Sequence, residues 1–462
     1  MSQRFTFDRE LIQRYDRPGP RYTSYPTAPH FTPAFGPLDW QAELEASNTR
    51  GAPLSLYCHI PFCETQCFFC GCNMIATKRH DRSMPYLDVL IAEMDRYAGL
   101  IDRKRPVVQL HWGGGTPTFL APNEIRRLMA ALHERFTFAA DAEIGCEIDP
   151  RRLSLEHLQA LHETGFNRIS MGVQDFEPAV QRAVNRIQPE TLTRQVYDWC
   201  RELGFASINL DLMYGLPCQT PESVRRTVDT ALAFSPDRFA VFNYAHLPGL
   251  KRHMAVIKEA DLPVAGDKLT MLQIVGDALT DAGYAFIGMD HFAKPDDEMA
   301  VAQRNGTLYR NFQGYTTHAG SDLLAMGMSG ISQTLDVYAQ NEKDLIPYTE
   351  AVMAGGWPIV RGVRLTQADQ VRRHVINRLM CDFELDTATV LDDYGLRFDA
   401  VFPEVRAQLA PMVADGLASW QGPTGQTLVV NPLGRLLVRN LAMTFDAYLN
   451  TSATAPMFSR TI

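Results

Sequence analysis

The 462-residue sequence is missing several features that would assign it to a class at once. Its opening residues, MSQRFTFDRELIQRYDRPGP, have no apolar core behind a basic start, which argues against a secretory signal peptide. No run approaches the ~18 uninterrupted apolar residues of a membrane-spanning helix, so no membrane partner is expected. Positive charge is in short supply: 44 Lys and Arg stand against 53 Asp and Glu, a net charge of −9. That balance argues against nonspecific nucleic-acid binding, and any anionic ligand must meet a local basic patch. The cysteines do not suit a disulfide framework either, being nine in number, an odd count with four in one place. They fit a reducing compartment, and a cytoplasmic protein is the expectation. There is no repeat of fixed period and no low-complexity tract. What remains, 46% hydrophobic and 21% charged, is an ordinary globular composition in a chain long enough for more than one domain.

The clustered cysteines are Cys63, Cys67, Cys70 and Cys72, written C-x-x-x-C-x-x-C-x-C. Sulfur ligands select zinc, copper(I) or iron–sulfur clusters. A structural zinc site wants four ligands, usually as two separated C-x-x-C knuckles or with paired histidines downstream, and neither pattern is present. A C-x-x-x-C-x-x-C loop instead offers three thiolates to a four-iron cubane and leaves one iron open to a small ligand.

After a proline- and aromatic-rich start that promises little regular structure, short apolar runs alternate with longer stretches of helical spacing. Strands are expected at Leu54–Ile60, Val107–Gly113, Glu143–Asp149, Arg168–Val173, Ser207–Tyr214 and Arg238–Tyr244. The helical stretches between them include Tyr86–Ala98, Asn123–Phe136, Leu155–Thr164, Glu190–Leu203 and Pro221–Ala233. This rhythm implies parallel strands joined by right-handed crossovers, an α/β fold that is either a partial barrel or an open doubly wound sheet. A further strand is expected at Phe286–Phe292 after a helix at Lys268–Ala282. Residues 301–360 read as a connecting region packed on the barrel. From Arg361 the pattern is mostly helical with a hairpin near Gln421–Val430, a winged-helix-like domain. The domain expectation is therefore an extension over 1–50, a catalytic domain over 51–300, the connecting region, and a C-terminal domain over 361–462.

In parallel α/β layouts the loops after the strands build the site, and the polar motifs fall there. Trp112-Gly113-Gly114-Gly115-Thr116-Pro117 follows the second strand; its glycines either form an anion-binding nest or a plain tight turn. Glu147 and Asp149, two residues apart at the end of the third strand, point to one side. One of them can accept from an amine or ribose hydroxyls, unless Asp149 only caps a helix. Gln174 and Asp211 sit in apolar runs, where they either satisfy each other or face a ligand. Arg186 is either a carboxylate-binding fork or a solvated helix charge.

These pieces resemble the radical S-adenosylmethionine (SAM) enzymes: the cysteine loop after the first strand, the GGG-T-P turn after the second and the carboxylate after the third. PGPRYTSYPTA (18–28), LYCHIPFCETQCFFCGCN (56–73), HWGGGTPT (111–118), GFNRISMGVQDF (165–176), NLDLMYGLP (209–217), FNYAHLP (242–248), MDHFA (289–293) and RNFQGYTT (310–317) narrow the likeness. Together they resemble the oxygen-independent coproporphyrinogen III oxidases, from near the N-terminus to the terminal FSR (458–460). Heme chaperones share the scaffold and cluster loop. In them D-F rather than G-C typically follows the third cysteine, and the PRYTSYP segment is absent.

The resemblance implies a partial (βα)6 radical-SAM barrel that converts two propionates of coproporphyrinogen III to vinyl groups in heme biosynthesis. It implies that Cys63, Cys67 and Cys70 hold a [4Fe–4S] cluster, whose open iron chelates SAM and whose electron generates a 5′-deoxyadenosyl radical. It implies two SAM molecules per chain. Tyr57, Gly114, Glu147 and the backbone near Ile331 would contact the first; Phe69, Gly115, Thr116, Gln174, Arg186, Asp211 and Ala245 the second. Cys72 is left as a thiol beside the cluster or facing substrate and, with Tyr57, is a catalytic candidate. Arg21, in a segment expected to form a lid, is a candidate cation for the four carboxylates of the substrate. A low-potential electron donor such as a flavodoxin, and a monomeric state, complete the expectation.

Overall fold

The computed structural model describes residues 6–449 and 458–461. The chain folds into two compact units, neither of them a continuous stretch of sequence. The larger comprises Phe31–Val264 and Gly320–Arg364; the smaller comprises the residues up to His30, Ala265–Ala319 and those from Leu365 onward.

The core of the larger unit is a run of six parallel strands placed side by side in chain order: Leu54–Ile60, Val107–Gly114, Phe138–Ile148, Arg168–Gln174, Ser207–Tyr214 and Arg238–Asn243. Each lies near its expected place, the third beginning earlier than Glu143. The helices after them, Ser83–Leu100, Pro122–Arg135, Leu155–Glu163 and Glu190–Leu203, pack each against the next. Helices that adjoin in sequence order cover a single face of the sheet. A doubly wound sheet would distribute them over both, so the fold is a partial barrel. Their starts are written locally. Pro122 stands in the first turn while Glu124 accepts from Ala121 N at 2.8 Å, and Thr220 accepts from Ser223 N at 3.2 Å to open Pro221–Leu232.

On the opposite face, partly open residues alternate with buried ones. Tyr57, His111, Glu147, Gly172 and Asp211 face the open side, while Cys58, Trp112, Cys146, Met171 and Leu210 are buried. The strand loops gather at one end of this face.

The first strand has a second neighbour. Asp322–Met326 pairs with it in parallel, followed by antiparallel strands Ile331–Gln333, Val337–Asn341 and Ile359–Arg364. The residues expected to connect and pack over 301–360 thus supply strands to the catalytic sheet from Asp322 onward. The cause is the continuous burial of DLLAM, pinned where Arg105 Nη2 meets Asp322 at 2.5 Å.

The extension departs from expectation too. It contains helices Arg9–Tyr15 and Pro37–Arg50, the second capped by Asp39 accepting from Gly36 N at 3.0 Å and burying Trp40 and Leu44. It also divides, since Thr32 pairs with Gly362 of the larger unit. In the smaller unit, the segment expected as a lid has Tyr22 and Tyr25 only 3% and 1% exposed, in a core with Val375, Leu379 and Phe445. The strand expected at Phe286–Phe292 is instead a hairpin, Ala285–Gly288 with His291–Ala293. Gly288 and Met289 adopt positive φ there and turn the chain back. Helices Gln367–Asp382, Ala388–Tyr394, Phe398–Val401, Val405–Ala414 and Val438–Met443 surround a three-stranded sheet that includes the Ala418–Gln421/Thr427–Val430 hairpin. This region begins at Leu365 rather than Arg361, because Ile359–Arg364 belongs to the other unit's sheet. Among the described residues no helix is long and apolar enough to cross a membrane.

Candidate active site

The cysteine loop hangs from the end of the first strand. Phe62–Cys63 pairs with Ile75–Ala76, and Thr77 N donates to Cys63 O at 2.8 Å, closing the loop at its base. The glycine turn after the second strand holds it from the side: Gly115 N donates to Ile60 O at 2.8 Å and Thr116 N to Phe62 O at 2.9 Å. Thr116 Oγ1 lies 3.2 Å from Cys63 Sγ. A Cβ on Gly115 would stand 2.5 Å from Pro61 O, so the glycine allows the two loops to meet. The nest reading of this turn fails in one respect. Gly114 N goes to Glu147 Oε2 at 3.2 Å, so the N–H groups of Gly114, Gly115 and Thr116 are all spent within the protein.

Cys67, 7% exposed, is approached by two guanidinium groups, Arg151 Nη2 at 3.4 Å and Arg186 Nη1 at 3.7 Å. Asp149 fixes both, at 2.6 Å and 3.2 Å, and also accepts from Arg151 N at 3.0 Å. Asp149 is therefore a cap and an anchor together. Burial would raise its pKa, but the two arginines outweigh that and hold it well below the usual carboxylate range. Arg186 is no solvated helix charge: it is buried, donates to Gly172 O at 2.6 Å, and leaves Nε without a protein partner. Burial pushes the Cys63 thiol up to about 12 despite the Thr116 hydrogen bond. A hydrogen bond from the Cys72 thiol draws Cys70 below the ordinary thiol value and holds Cys72 up. His253 Nε2 donates to Cys70 O at 2.8 Å and Lys251 Nζ to Cys72 O at 3.0 Å. Among the described residues no three His, Cys, Asp or Glu side chains close around a single metal ion. A cubane asks for something different, three thiolates with nearby cations to offset their charge; Cys63, Cys67 and Cys70 share one loop, and Arg151 and Arg186 stand beside Cys67.

On the open face, Tyr57 stacks on His111, with centroids 6.1 Å apart and planes 12° apart. Its hydroxyl donates to His59 Nδ1 at 3.1 Å, and His59 Nε2 donates to Asn73 O at 2.9 Å, just past the cysteine loop. Burial lowers the His59 pKa, which matches one donor and one acceptor nitrogen. Burial would raise Glu147, but hydrogen bonds from His111 Nε2 at 3.4 Å and from Gly114 N hold it below its ordinary value. Asp211 is pushed up to about 7, by burial first and then by the Glu147 charge. The pairing left open between Gln174 and Asp211 does not form: Asp211 Oδ1 accepts from Asn209 at 2.7 Å, and Asp211 lies opposite Gly172 in the sheet. Gln174, at positive φ, ends the fourth strand beside Gly172. Phe69 packs on Val180, Val184 and Tyr244, the residue before Ala245, and Ile331 opens its strand opposite Gln340. The expected cluster and SAM-contacting residues, with Cys72, all lie in the larger unit, whereas Arg21 lies in the smaller.

The chain is 50% identical to the oxygen-independent coproporphyrinogen III oxidase of Escherichia coli (strain K12), over 100% of this chain and 99% of that one. The chain belongs to the oxygen-independent coproporphyrinogen III oxidases. Residues 57–231 match the Radical SAM superfamily. The family's member from Pseudomonas aeruginosa is 47% identical, covering 99% of each chain. The solved structure of the Escherichia coli coproporphyrinogen III oxidase (HemN), described as a radical SAM enzyme, superposes with a TM-score of 0.92 at 48% identity, covering 97% of this chain and 100% of that one. Membership makes this a radical SAM oxidoreductase that uses a [4Fe–4S] cluster and SAM.

Sequence reasoning missed Arg151, His111 and His59, which contact the cysteine loop or the residues around it. A signal existed for the histidines: both fall on the open-face side of mostly apolar strands, where the other plainly polar residues, Ser55 and Gln109, bond each other. For Arg151, two positions after Asp149, the only signal was an acid–base pair in a loop.

Proposed function

We propose that the protein carries out the oxygen-independent oxidative decarboxylation of two propionate side chains of coproporphyrinogen III. The products are vinyl groups, so the product is protoporphyrinogen IX, in heme biosynthesis. The observation that carries the reading is the cysteine loop itself. Three thiolates lie on one tethered loop, two guanidinium groups face the buried Cys67, and carboxylates stand on the adjoining open face.

When bound, the cluster and SAM would supply the radical chemistry needed to remove a hydrogen atom from the propionate β-carbon, with loss of CO₂ and one electron. The chain's own residues position these groups and keep water away. Cys63, Cys67 and Cys70 hold the cluster. Tyr57, Gly114, Glu147 and the backbone near Ile331 bind one SAM, with Glu147, ionised and held by His111, suited to an ammonium group. Phe69, Gly115, Thr116, Gln174, Arg186, Asp211 and Ala245 bind a second SAM, for which Arg186 Nε is an unused buried donor. Tyr57 steadies the face beside the reacting groups, and Cys72 stands on the substrate side of the loop. In the smaller unit, Arg310 is buried with Nη1 unpartnered and Nε donating to Arg21 O at 3.4 Å, while Arg21 is paired with Asp290. The protein works as a cytoplasmic monomer supplied by a low-potential donor such as a flavodoxin.

The test is anaerobic. The reconstituted chain is reduced chemically and given SAM and coproporphyrinogen III, and it should yield protoporphyrinogen IX with 5′-deoxyadenosine. Stoichiometric heme binding without decarboxylation would assign it to the chaperones instead.

A further inference from the structure

Cys67 differs from Cys63 and Cys70 in what its sulfur meets. Cys63 Sγ lies 3.2 Å from a neutral hydroxyl, Thr116 Oγ1, and Cys70 shares a hydrogen bond with a second thiol, Cys72. Cys67 Sγ accepts from two guanidinium groups, Arg151 Nη2 at 3.4 Å and Arg186 Nη1 at 3.7 Å. These two arginines are not equivalent. Arg186 keeps Nε without a protein partner, free for a bound molecule. Arg151 has every nitrogen committed: Nε to Asp149 Oδ1 at 2.9 Å, Nη1 to Asn185 O at 3.3 Å, and Nη2 to Asp149 Oδ2 at 2.6 Å as well as to the sulfur. Its side chain is 12% exposed. Arg151 is therefore no ligand-binding cation, and the group it faces beyond its anchors is the thiol of Cys67.

A purely structural role would have Arg151 hold the cysteine loop in place. The backbone on either side of Cys67 is held by other groups. Asn185 Nδ2 donates to Gln66 O at 2.9 Å, and Phe68 N donates to Val184 O at 3.0 Å. Asn185 is itself tied to its own turn, its N donating to Arg182 O at 3.2 Å. Asp149 bonds both arginines, so the three side chains leave one net positive charge at this corner, two cations less one carboxylate. A charge-assisted hydrogen bond from a buried guanidinium stabilises negative charge on the sulfur that accepts it. Hydrogen bonds to the sulfurs and local charge are among the factors that set the reduction potential of an iron–sulfur cluster.

We propose that Arg151 is a positioning residue for the electron-uptake step: oriented by Asp149, it donates to the Cys67 thiolate and raises the potential at which the cluster is reduced. The inference rests on the reading of Cys67 as a cluster ligand. In that step one electron passes from a low-potential one-electron reductant to the oxidised cluster; no bond breaks and no proton crosses. The reduced cluster carries the extra negative charge, so a cationic donor at its ligand favours that state. A lysine would keep the charge but lose the planar fork that grips Asp149 and reaches the sulfur together.

The test is a potentiometric titration of the reconstituted full chain without SAM or substrate. Dithionite is the reductant, with low-potential mediators, and the paramagnetic signal of the reduced cluster is the readout. Poised at the parent's midpoint, Arg151→Gln should hold a reduced-to-oxidised ratio about tenfold lower, a midpoint shift of ~59 mV for one electron. Arg151→Lys should fall between the two. Arg152→Gln is the control, because Arg152 is 60% exposed and pairs with Glu64 rather than with a sulfur. It removes the same charge one position on, and its ratio should stay within about twofold of the parent's. Iron and sulfide content is measured on every sample. An Arg151→Gln chain with a full cluster and the parent's midpoint would overturn the inference. Equal shifts in Arg151→Gln and Arg152→Gln would do the same, since net charge alone would then explain them. If Arg151→Gln took up no cluster, Arg151→Lys would decide, and an unmoved midpoint there would sink the proposal. If the dithionite-reduced parent failed to decarboxylate coproporphyrinogen III, the functional reading would fall while the midpoints still judged Arg151.

Discussion

Two parts of the larger unit bury charge, and they do so in opposite ways. On the flank formed by Asp322–Arg364, every buried charge is met from within. Arg105 reaches Asp322 at 2.5 Å, with both side chains under 5% exposed, and also donates to Ala52 O and Ser47 Oγ. Glu93 accepts from Tyr348 Oη at 2.6 Å, from Asn341 Nδ2 and Gly327 N, each at 2.8 Å. On the open face the matching stops short. Arg186 keeps an unused donor, Asp211 is pushed up by burial and the like charge of Glu147 in spite of hydrogen bonds from Asn209 and Ser170, and thiols crowd a single loop. Unpaired polarity is costly in a folded interior, so it survives where a ligand completes it. The flank uses its charges to hold the sheet together; on the proposed function, the open face keeps its own for cofactors.

The comparison breaks first at the cysteines. Cys67→Ala removes a thiolate that two arginines are arranged to meet. It should abolish cluster assembly and bring decarboxylation to background, while circular dichroism of the metal-free chain stays unchanged. Iron content and product analysis check this. Full activity with normal iron would mean that the guanidinium pair serves the fold alone. Arg105→Met makes the reverse claim. It leaves Asp322 buried and unpaired, so unfolding by denaturant should show a loss of ~3–5 kcal/mol, with SAM affinity in the surviving folded chain unaltered.

The contrast between the two regions also explains what could be read in advance. The six strands and their crossover helices announce themselves locally, through buried apolar runs and 3.6-residue spacing, and they fell within a few residues of expectation. The cysteine loop was legible because its cysteines lie within ten residues of one another. The flank was not: DLLAM pairs with a strand more than two hundred and fifty residues earlier, and nothing near it reveals that partner. Nor did the extension reveal that it divides at His30, a matter decided by which sheet Thr32 meets. Within the site, Glu147, Asp211 and Arg186 were visible as polar breaks in apolar or motif contexts. Arg151 was not, since its role depends on a loop bringing Cys67 beside it.

Glu93→Gln probes the flank with less damage, for the amide keeps the shape and an acceptor but loses charge. A cost of ~1–2 kcal/mol is expected near neutral pH, because one of three donors loses a good partner. Its pH dependence is more telling. Burial pushes Glu93 up to about 7 from an ordinary carboxyl value of 4.5, so the folded chain binds the proton more tightly than the unfolded one. This group's contribution to stability is therefore greatest at low pH and falls as pH rises from about 4.5 to about 7, by at most ~1.4 kcal/mol per pH unit. Glu93→Gln should flatten that slope; an unchanged slope would place the titrating group elsewhere.

Asp211→Asn is the finest test, because it sets the two roles of a buried acid against each other. Asp211 also titrates near 7 through burial, and the Glu147 charge adds to the cost of ionising it. If Asp211 were structural like Glu93, its neutral isostere would change stability and leave ligands indifferent. If the open face keeps its charges for cofactors, the amide should cost the fold nothing at pH 8, or stabilise it slightly, since a buried ionised group is gone. The loss should appear instead in binding, as about a tenfold weakening, or ~1.4 kcal/mol, confined to the second of two SAM molecules in a calorimetric titration. Weakening of both sites equally, or a single site in the parent chain, would dissolve the division of the open face into two cofactor positions. The flank would then differ from it only in how completely its charges are paired.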